Sequence, residues 1–571
     1  MAGGESPPFL SDRAGRLGLA GLALFALLVR LPTLAGHPIV EGDGVHYASL
    51  ARRALAGDLG GLGDLYWSNV WPAAIAGVSR GTGLDVVKAG RVASLVSGAL
   101  LAPLTGAIGA RLFGPLAGWT AALLVAGHPW LVHFSGLVYA EAFFLALLLG
   151  GLAVGLGAAR TRRPTGLVGA GFLMGLAAAT RPEALFYAAG LLLLLLAPRA
   201  GEPPLPLRPA AWRSAGLLLA PFLLVLAGRS ILVWSENGTW DFWGSFKGRA
   251  NFFLGEQKEV FQNTATERTP EGELEYFADA RQRSVLESVL AHPEGLRARA
   301  VRNFPLGVEA AKRVIPPVPL FLGRSAFPGP GWTAVLHGMG ALSFLLAAFG
   351  LLSGLSRATT RLATGAIVGA GALHALTLVF LLVHDRLLLS LVPFAAIFSA
   401  QGLVVATGAI ARRVAPGARG DGGRVAWGVP LGVAASHAVL SLFGAAFAPT
   451  PAYPEEPVVQ REAGEWLAGR FDRETRLMTP TPHVAFYFYD AAHERNRVDL
   501  PWADYDGVLA FARVHGAHLL AAPEWFLREW HHPCADLLLD ATGDHPGLEY
   551  VASVGDRQPY RVHLYRFTDR R

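Results

Sequence analysis

Apolar runs almost as long as a bilayer is thick recur from one end of this chain to the other. "LGLAGLALFALLVRLPTLAG" fills 17–36 and "ALFYAAGLLLLLLAP" fills 184–198, against the roughly 20 apolar residues that cross hydrocarbon as a helix. One soluble core cannot hide so many of them. Soluble domains carry about 25% charged residues, whereas this chain of 571 residues carries 16%, with 52% hydrophobic. The fold class is therefore a polytopic α-helical membrane protein. The first run is long for a signal peptide, lacks a clear A-x-A site and is followed by further runs, so it reads as the first span. Eleven spans are expected, at 17–36, 91–110, 115–134, 137–157, 166–180, 184–198, 214–234, 333–355, 362–383, 387–409 and 425–447.

The basic residues orient these spans. Arg13, Arg16 and Arg111, then "ARTRRP", "PRAGEPPLPLRPAAWR", "SRATTR" and "ARRVAPGARGDGGR", all fall on alternate connections and are poor in acids. That is the pattern of cytoplasmic loops, and it stays in phase through all eleven spans. The N-terminus is expected inside and the C-terminus outside. The formal charge of +6 is thereby explained by orientation rather than by nucleic acid. Cys534 is the only cysteine, so no intrachain disulfide is possible.

Three substantial pieces then lie on the outer side: 37–90, 235–332 and 448–571. The second opens on "WSENGTWDFWGSFKGRANFFLGE", aromatics alternating with polar residues at interface depth. Its continuation, "EYFADARQRSVLESVLAHPEGLRARAVRNF", has helical spacing but is too polar to span, and is expected as helices on the membrane surface or over a cavity. The tail reads as a separate α/β domain. "TRLMTP" and "AHLLAAP" are short buried strands beside the helical stretches "PHVAFYFYDAA" and "YDGVLAFARVHG", and "LEYVASVGDRQPYRVHLYRFTD" is a terminal hairpin about a Gly-Asp turn. Histidines there, among them His483, His493, His515, His518, His531 and His532, show no metal-ligand spacing, and His531 and His532 read as a surface loop.

Polar residues crowd the outer boundary. "PIVEGDGVHYASLARRALAGD" places Glu41, Asp43, His46 and Tyr47 directly after the first span. Apolar positions 47, 50, 51, 54 and 55 have helical spacing, which gives an amphipathic helix along the outer surface. Asp43 near its start has two readings, a helix N-cap or a site carboxylate. "FSGLVYAEAFF" sets Glu141 about one turn inside the fourth span, where an ionisable residue is costly and is either functional or favoured by the helix dipole. "AAATRPEALF" puts Arg181 and Glu183 between spans five and six, with Pro182 at the first position of the next helix. "LVHDRLLLSLVPF" puts His384, Asp385 and Arg386 between spans nine and ten. A tight hairpin needs some polar residue at the headgroups, so each site alone has a plain structural reading. Together they place Asp43, Glu141, Arg181 and Arg386 on one face of one membrane. Guanidinium groups there suit a phosphate ester, and carboxylates suit a general base or a divalent metal.

This arrangement resembles the integral-membrane glycosyltransferases of the C-type (GT-C) fold, in the branch of the lipid A aminoarabinose transferases and protein O-mannosyltransferases. Their acidic first-loop motif, D-E-x-x-Y-x-x-x-A, corresponds to "DGVHYASLA", with Asp43, Tyr47 and Ala51 matching and Gly44 in place of the second acid. Glu41, on the other side of Asp43, is the candidate substitute. "YWSNVWPAAIAGVSRGTGL" resembles the aromatic and proline segment, with Asn69 and Val70 where a Lys is often seen. "GLAAATRPEAL" resembles the G-L-A-x-x-T-[KR] segment. "HDRLLLSLVPFAAIFSAQGL" resembles the R-Y-x-x-x-x-x-P segment, with Arg386 matching and Leu387 replacing Tyr. Asn251 and Gly255 fit the N-x-x-x-G end of the outer loop, and the tail resembles the soluble domain of some members.

The resemblance implies a hexosyl or pentosyl transferase of a bacterial cytoplasmic membrane, with loops and C-terminal domain outside. Residues 1–447 would form the transmembrane transferase domain and 448–571 the extracytoplasmic α/β domain. Such enzymes take a sugar from a polyprenyl-phosphate carrier to a lipid, glycan or protein acceptor. It implies Asp43 as general base, Arg181 and Arg386 on the donor phosphate, and 235–332 as a lid. Glu41, His46, Tyr47, Glu141 and His384 would position acceptor or donor, and Glu141 is also the candidate ligand of a divalent metal. Two rivals stand beside this reading. One is a lipid or sugar transporter or flippase, against which no internal repeat is visible. The other is a catalytically silent member acting as an assembly partner, suggested by Gly44 and the missing Lys.

Overall fold

The computed structural model describes residues 13–34, 39–40, 42–198, 209–242, 244–260, 275–316, 330–381, 383–414, 428–437, 455–529, 532–540 and 545–568. Glu41 and His531 lie outside them, as do parts of the last predicted span and of the outer loop.

Helices stand at all eleven places where apolar runs were expected. In chain order they are α1 Arg13–Arg30, then the interfacial α2 Asp43–Leu55 and α3 Val70–Thr82, α4 Val86–Phe113, α5 Pro115–Ala126 and the short α6 Pro129–Phe134. There follow α7 Glu141–Thr161, α8 Pro164–Thr180, α9 Ala184–Leu196 and α10 Pro209–Asn237. After the outer loop come α15 Pro330–Ser356, α16 Arg361–Phe380, α17 Val392–Val414 and α18 at 428–437. By length and composition, six segments among the described residues can cross a membrane: 15–34, 86–113, 141–161, 209–237, 361–380 and 385–413. The apolar helices α5, α8, α9 and residues 340–356 of α15 are shorter.

The bundle is inside-out by the standard of a soluble protein. Leu24, Leu100, Leu224 and Leu345 project outward from apolar helices, while Arg30, Glu141, Arg229 and His374 are buried. Helix α4 lies in the middle, packed on α1, α3, α5, α7 and α17. Between apolar helices in lipid, close van der Waals approach replaces the hydrophobic drive. A Cβ on Gly350 or Gly402 would strike the carbonyl oxygens of Phe398 and Leu346, so these two glycines let α15 and α17 meet backbone to backbone.

Three expectations change. The predicted span 115–134 is two helices, because Gly127 and Pro129 break it around His128. Glu141 is not one turn inside its helix but is the first residue of α7, since residues 135–140 form an irregular turn. It therefore sits where a helix dipole favours a carboxylate. Pro182 precedes α9 by two residues and serves instead to stop α8, as the residue before a proline is pushed out of the helical region.

The described residues of the segment 235–332 fold into helices: α11 Ser245–Val260, α12 Glu275–Gln282, α13 Val285–Ala291 and α14 Pro293–Val314. Arg299 fastens them to the bundle by donating to the carbonyls of Phe252 and Phe380. Gly255 lies so close to Leu381 that a side chain would meet its carbonyl.

The C-terminal part is a five-stranded sheet with helices: α19 Glu455–Ala468, β1 Leu477–Met478, α20 Pro482–Phe488, β2 Arg497–Val498, α21 Tyr505–His515, β3 Leu519–Pro523, α22 Glu524–Glu529, α23 Ala535–Leu539, β4 Leu548–Val554 and β5 Val562–Phe567. Strand order is β2-β1-β3-β5-β4, parallel through β3 and antiparallel beyond it. The terminal hairpin is β4–β5. His532, expected on a surface loop, is buried, because its Nε2–H donates to the carbonyl of Pro501 at 2.9 Å.

Candidate functional site at the end of the bundle

The site begins where α2 begins. Gly42 has φ 46° and ψ −126°, and a Cβ there would collide with the Tyr139 hydroxyl. That glycine lets the chain turn tightly against Tyr139 and start the helix at Asp43. Asp43 makes no capping bond to the backbone, so the capping reading fails. Its Oδ2 instead accepts from Arg386 Nη1 at 2.5 Å, across 343 residues of chain. The full charge of a guanidinium outcompetes partial charges on N–H groups that the helix start leaves open.

Arg386 projects from a 3-10 turn, Asp385–Leu391, that precedes α17. His384 Nδ1 accepts the Arg386 backbone N–H at 3.4 Å, so His384 shapes the turn and does not face substrate space through that nitrogen. His374 of α16 donates to the Leu387 carbonyl at 2.9 Å and holds the turn from behind. The Arg386 guanidinium lies 5.7 Å from the centre of the Tyr139 ring. Asp385 faces away and pairs with Arg313 of α14 at 2.7 Å.

Arg181 leaves the end of α8 in extended conformation. It is held from two sides, by Glu141 at 2.9 Å and by Glu183 at 2.6 Å. Burial works against its charge, but the Glu183 and Glu141 carboxylates outweigh it and make Arg181 still harder to deprotonate. Burial also tends to raise Glu183, yet Arg181, helped by His374, carries that carboxyl below its ordinary range. Glu141, Arg181, Glu183 and Arg386 line one narrow, tightly packed cleft, together with Phe144, Leu387 and Ser390. Two ion-paired arginines thus meet at one end of the bundle.

Tyr47 and His46 stand beside them on α2. Tyr47 is buried and packs edge-on against Trp67 at 5.5 Å. Burial, with the Asp43 and Glu141 charges, pushes its hydroxyl well above the usual tyrosine range. His46 stacks on Trp67, with ring centres 4.5 Å apart. Burial foremost, then Arg497, pushes it down to about 4, so the ring is neutral at pH 7. His46 lines a second, small opening of about 50 Å³ between α2 and the C-terminal part, together with Ser49, Phe486, Tyr489, Glu494 and Arg497.

Gly44 acquires a physical explanation. A Cβ there would lie 3.2 Å from Val40 Cγ2, 3.3 Å from Val138 Cβ and 3.4 Å from the Val138 carbonyl. The space a second acid would need is already filled. Asn69, at the position of the missing lysine, donates to the carbonyl of Asp64 at 3.1 Å and braces its own loop.

The donor set does not fit a divalent metal. Asp43 and Glu141 are each engaged by an arginine, and among the described residues no three His, Cys, Asp or Glu are grouped to hold an ion.

Sequence reading overlooked two neighbours of this cluster. Glu183 was visible beside Arg181 but was not assigned to the site, and Lys247 was absorbed into an aromatic interface stretch. The Lys247 ammonium lies 5.0 Å from the Tyr66 ring and 5.7 Å from Trp67. An isolated lysine among "FWGSFKG" could have been singled out only by its charge amid aromatics.

An apolar helical bundle with ion-paired charges buried beside a C-terminal α/β part has the build of a multi-pass membrane protein with a polar site. Comparison with known proteins makes the class specific. Residues 73–227 match the family model described as dolichyl-phosphate-mannose-protein mannosyltransferase. No curated protein sequence matches the chain. Among solved structures, ArnT from Cupriavidus metallidurans bound to undecaprenyl phosphate aligns over 98% of this chain and 99% of its own, at 15% identity and TM-score 0.55. The archaeal oligosaccharyltransferase AglB from Archaeoglobus fulgidus, in complex with an inhibitory peptide and a dolichol-phosphate, aligns over 96% of this chain and 75% of its own, at 14% identity and TM-score 0.54. The chain has the GT-C fold of the membrane glycosyltransferases, as its motifs suggested.

Proposed function

We propose that this protein is a glycosyltransferase that moves a hexose or pentose from a polyprenyl-phosphate carrier to a lipid, glycan or protein acceptor, at the outer face of a bacterial cytoplasmic membrane. One observation carries the reading: two guanidinium groups, Arg386 and Arg181, line a single cleft in the apolar bundle, and Arg386 is paired with the carboxylate of Asp43. The ArnT and AglB structures named above hold a polyprenyl phosphate and a dolichol-phosphate, which fits phosphate-binding arginines at this place.

In the state described, Asp43 is bound by Arg386. A donor phosphate that takes over Arg386 frees the carboxylate. Asp43 then accepts the proton of an acceptor hydroxyl while that oxygen bonds to the anomeric carbon. The bond from that carbon to the phosphate oxygen breaks in the same step, with inversion. Its electron pair leaves on the polyprenyl phosphate, whose charge Arg386 and Arg181 offset. Glu141 and Glu183 hold Arg181 in position for this. An acceptor entering between α2 and the C-terminal part would pass neutral His46, one helical turn from Asp43.

A deletion strain, analysed by mass spectrometry of envelope lipids, glycans and proteins, should lose one sugar modification. Wild-type protein should restore it and Asp43→Asn should not. Restoration by Asp43→Asn would remove the general base. A second test uses single cysteines on a Cys534→Ser background: labelling of position 43 from the cytoplasmic side alone would overturn the orientation and the mechanism with it.

A further inference from the structure

Helix α14, Pro293–Val314, carries its polarity the wrong way round for a helix packed on a soluble core. The side toward the bundle holds Arg299 and Asn303, both buried, with Ala310 and Val314. Val301, Phe304 and Val308 point away from the protein, and the first two are 68% and 63% exposed. In water these two faces would be exchanged.

The inward polar residues have a definite task. Arg299 Nη1 donates to the Phe380 carbonyl at 3.2 Å, and Asn303 Nδ2 donates to the Val379 carbonyl at 3.0 Å. Those carbonyls end α16, one of the segments able to cross a membrane, and a helix leaves its last carbonyls without donors. Water would satisfy them; hydrocarbon would not. The same bonds fix where α14 lies, beside the last turn of a spanning helix. Its far end is tied to the bundle as well, since Trp130 Nε1 of α6 donates to the Arg313 carbonyl at 3.1 Å.

Helical spacing divides the outward residues into two stripes. Positions 301, 304 and 308 fall at i, i+3 and i+7, and all three are apolar. Arg302, Glu309 and Arg313, spaced by seven and then four, form a second exposed stripe that is wholly charged. From that stripe Arg313 reaches Asp385 at 2.7 Å, next to Arg386 in the chain. The helix to which α14 is fastened also exposes leucines, Leu373 and Leu376, one to two turns before Phe380.

We propose that α14 lies in the bilayer surface, with Val301, Phe304 and Val308 seated among the acyl chains of one leaflet and Arg302, Glu309 and Arg313 turned to water. The occupant of the apolar stripe is lipid and not protein, because the stripe is held level with the end of a spanning helix whose own outward side is leucine. This rests on the membrane assignment of the chain and not on the chemistry of transfer. It makes α14 a strut: lipid holds one stripe, and the other holds the turn that carries Arg386.

The test places a nitroxide on one introduced cysteine, Val301→Cys, Phe304→Cys or Val308→Cys, in the full-length protein reconstituted into phosphatidylethanolamine–phosphatidylglycerol vesicles. Glu309→Cys, on the charged stripe, and Val514→Cys, at a position 81% exposed on the C-terminal part, give the comparison. Cys534 is buried, and the unsubstituted protein shows how little label it takes. Collisions with molecular oxygen, which concentrates in hydrocarbon, are measured against collisions with a nickel chelate that stays in water. The oxygen-to-nickel ratio at 301, 304 and 308 should exceed that at 309 and 514 severalfold. A ratio at those three equal to that at 514 would put the stripe in water and overturn the proposal. Suppressed collisions with both reagents would mean that a second copy of the chain or another protein covers the stripe, and would overturn it too. Three independent positions keep the result readable if one variant fails to fold. Neither reversal would touch the reading of Asp43, Arg181 and Arg386.

Discussion

Helix α2 carries charge clusters at both ends, and they are built to different rules. At its start, Asp43 meets Arg386 beside Arg181, Glu141 and Glu183, around a narrow cavity. At its end, Arg52 and Ser49 bind Glu494 of the C-terminal part, and Arg52 also donates to the Phe486 carbonyl at 3.1 Å. Beyond that, Arg53, Asp58, Glu236 and Arg495 form a four-charge patch, with Arg495 bridging Asp58 at 3.2 Å and Glu236 at 2.9 Å. The side chain of Arg495 is 61% exposed, whereas Arg181 and Glu141 are 13% and 6% exposed. Ion pairs alone therefore do not mark a reactive centre. The first cluster is set apart by two arginines lining one cleft, Arg181 being held there between two buried carboxylates. The second is a fastening, completed by Phe486, which is buried among Val45, Ala48 and Trp71.

Breaking each cluster should separate these roles. The largest effect is expected for Arg181→Met, which strands Glu141 and Glu183 as buried carboxylates. Removing one partner of a buried pair costs about 3–5 kcal/mol, and loss of a charge-stabilising group costs about 10²–10³ in turnover. Unfolding in detergent and a transfer assay should both register it; a variant that keeps wild-type stability would show that the triad is not sealed from water. Glu494→Gln should come next, with a loss of about 1–2 kcal/mol confined to the seam. Hydrogen exchange should rise in α2 and α20 while the polyprenyl-phosphate affinity stays within about twofold. A large loss of lipid affinity would mean that the two ends act as one site. Arg495→Gln should do least, about 0–1 kcal/mol, and the difference from wild type should vanish in high salt. A salt-resistant loss would place that patch with the buried cluster.

Much of this was legible in the sequence because hydropathy and basic loops are summed over many residues. The helix positions, the hairpin β4–β5 and the meeting of Asp43, Glu141, Arg181 and Arg386 all follow from such sums. What stayed hidden depends on single contacts. Asp43 looked like a cap because the sequence cannot say that Arg386 would arrive beside it. Gly44 looked like a loss, until Val40 and Val138 were found filling the space. Nothing in the sequence signalled that His384 would also accept the Arg386 backbone N–H and so shape the turn that carries it. Lys247 was invisible for the opposite reason, since helix α11 is amphipathic in composition and gives no sign of which charge faces inward.

The 343 residues between Asp43 and Arg386 also set an order of events during synthesis. At about 5–20 residues per second, roughly 20–70 seconds separate the two on the ribosome. Through that interval α2 must wait at the membrane surface with its carboxylate in water and its turn around Gly42 held only by Tyr139 and the first helices. The site cannot be assembled until α16 and the turn before α17 are in place, so a chain halted earlier has the family-matching helices and no working centre. Truncation products of this protein should therefore be inert in sugar transfer while still able to occupy the membrane.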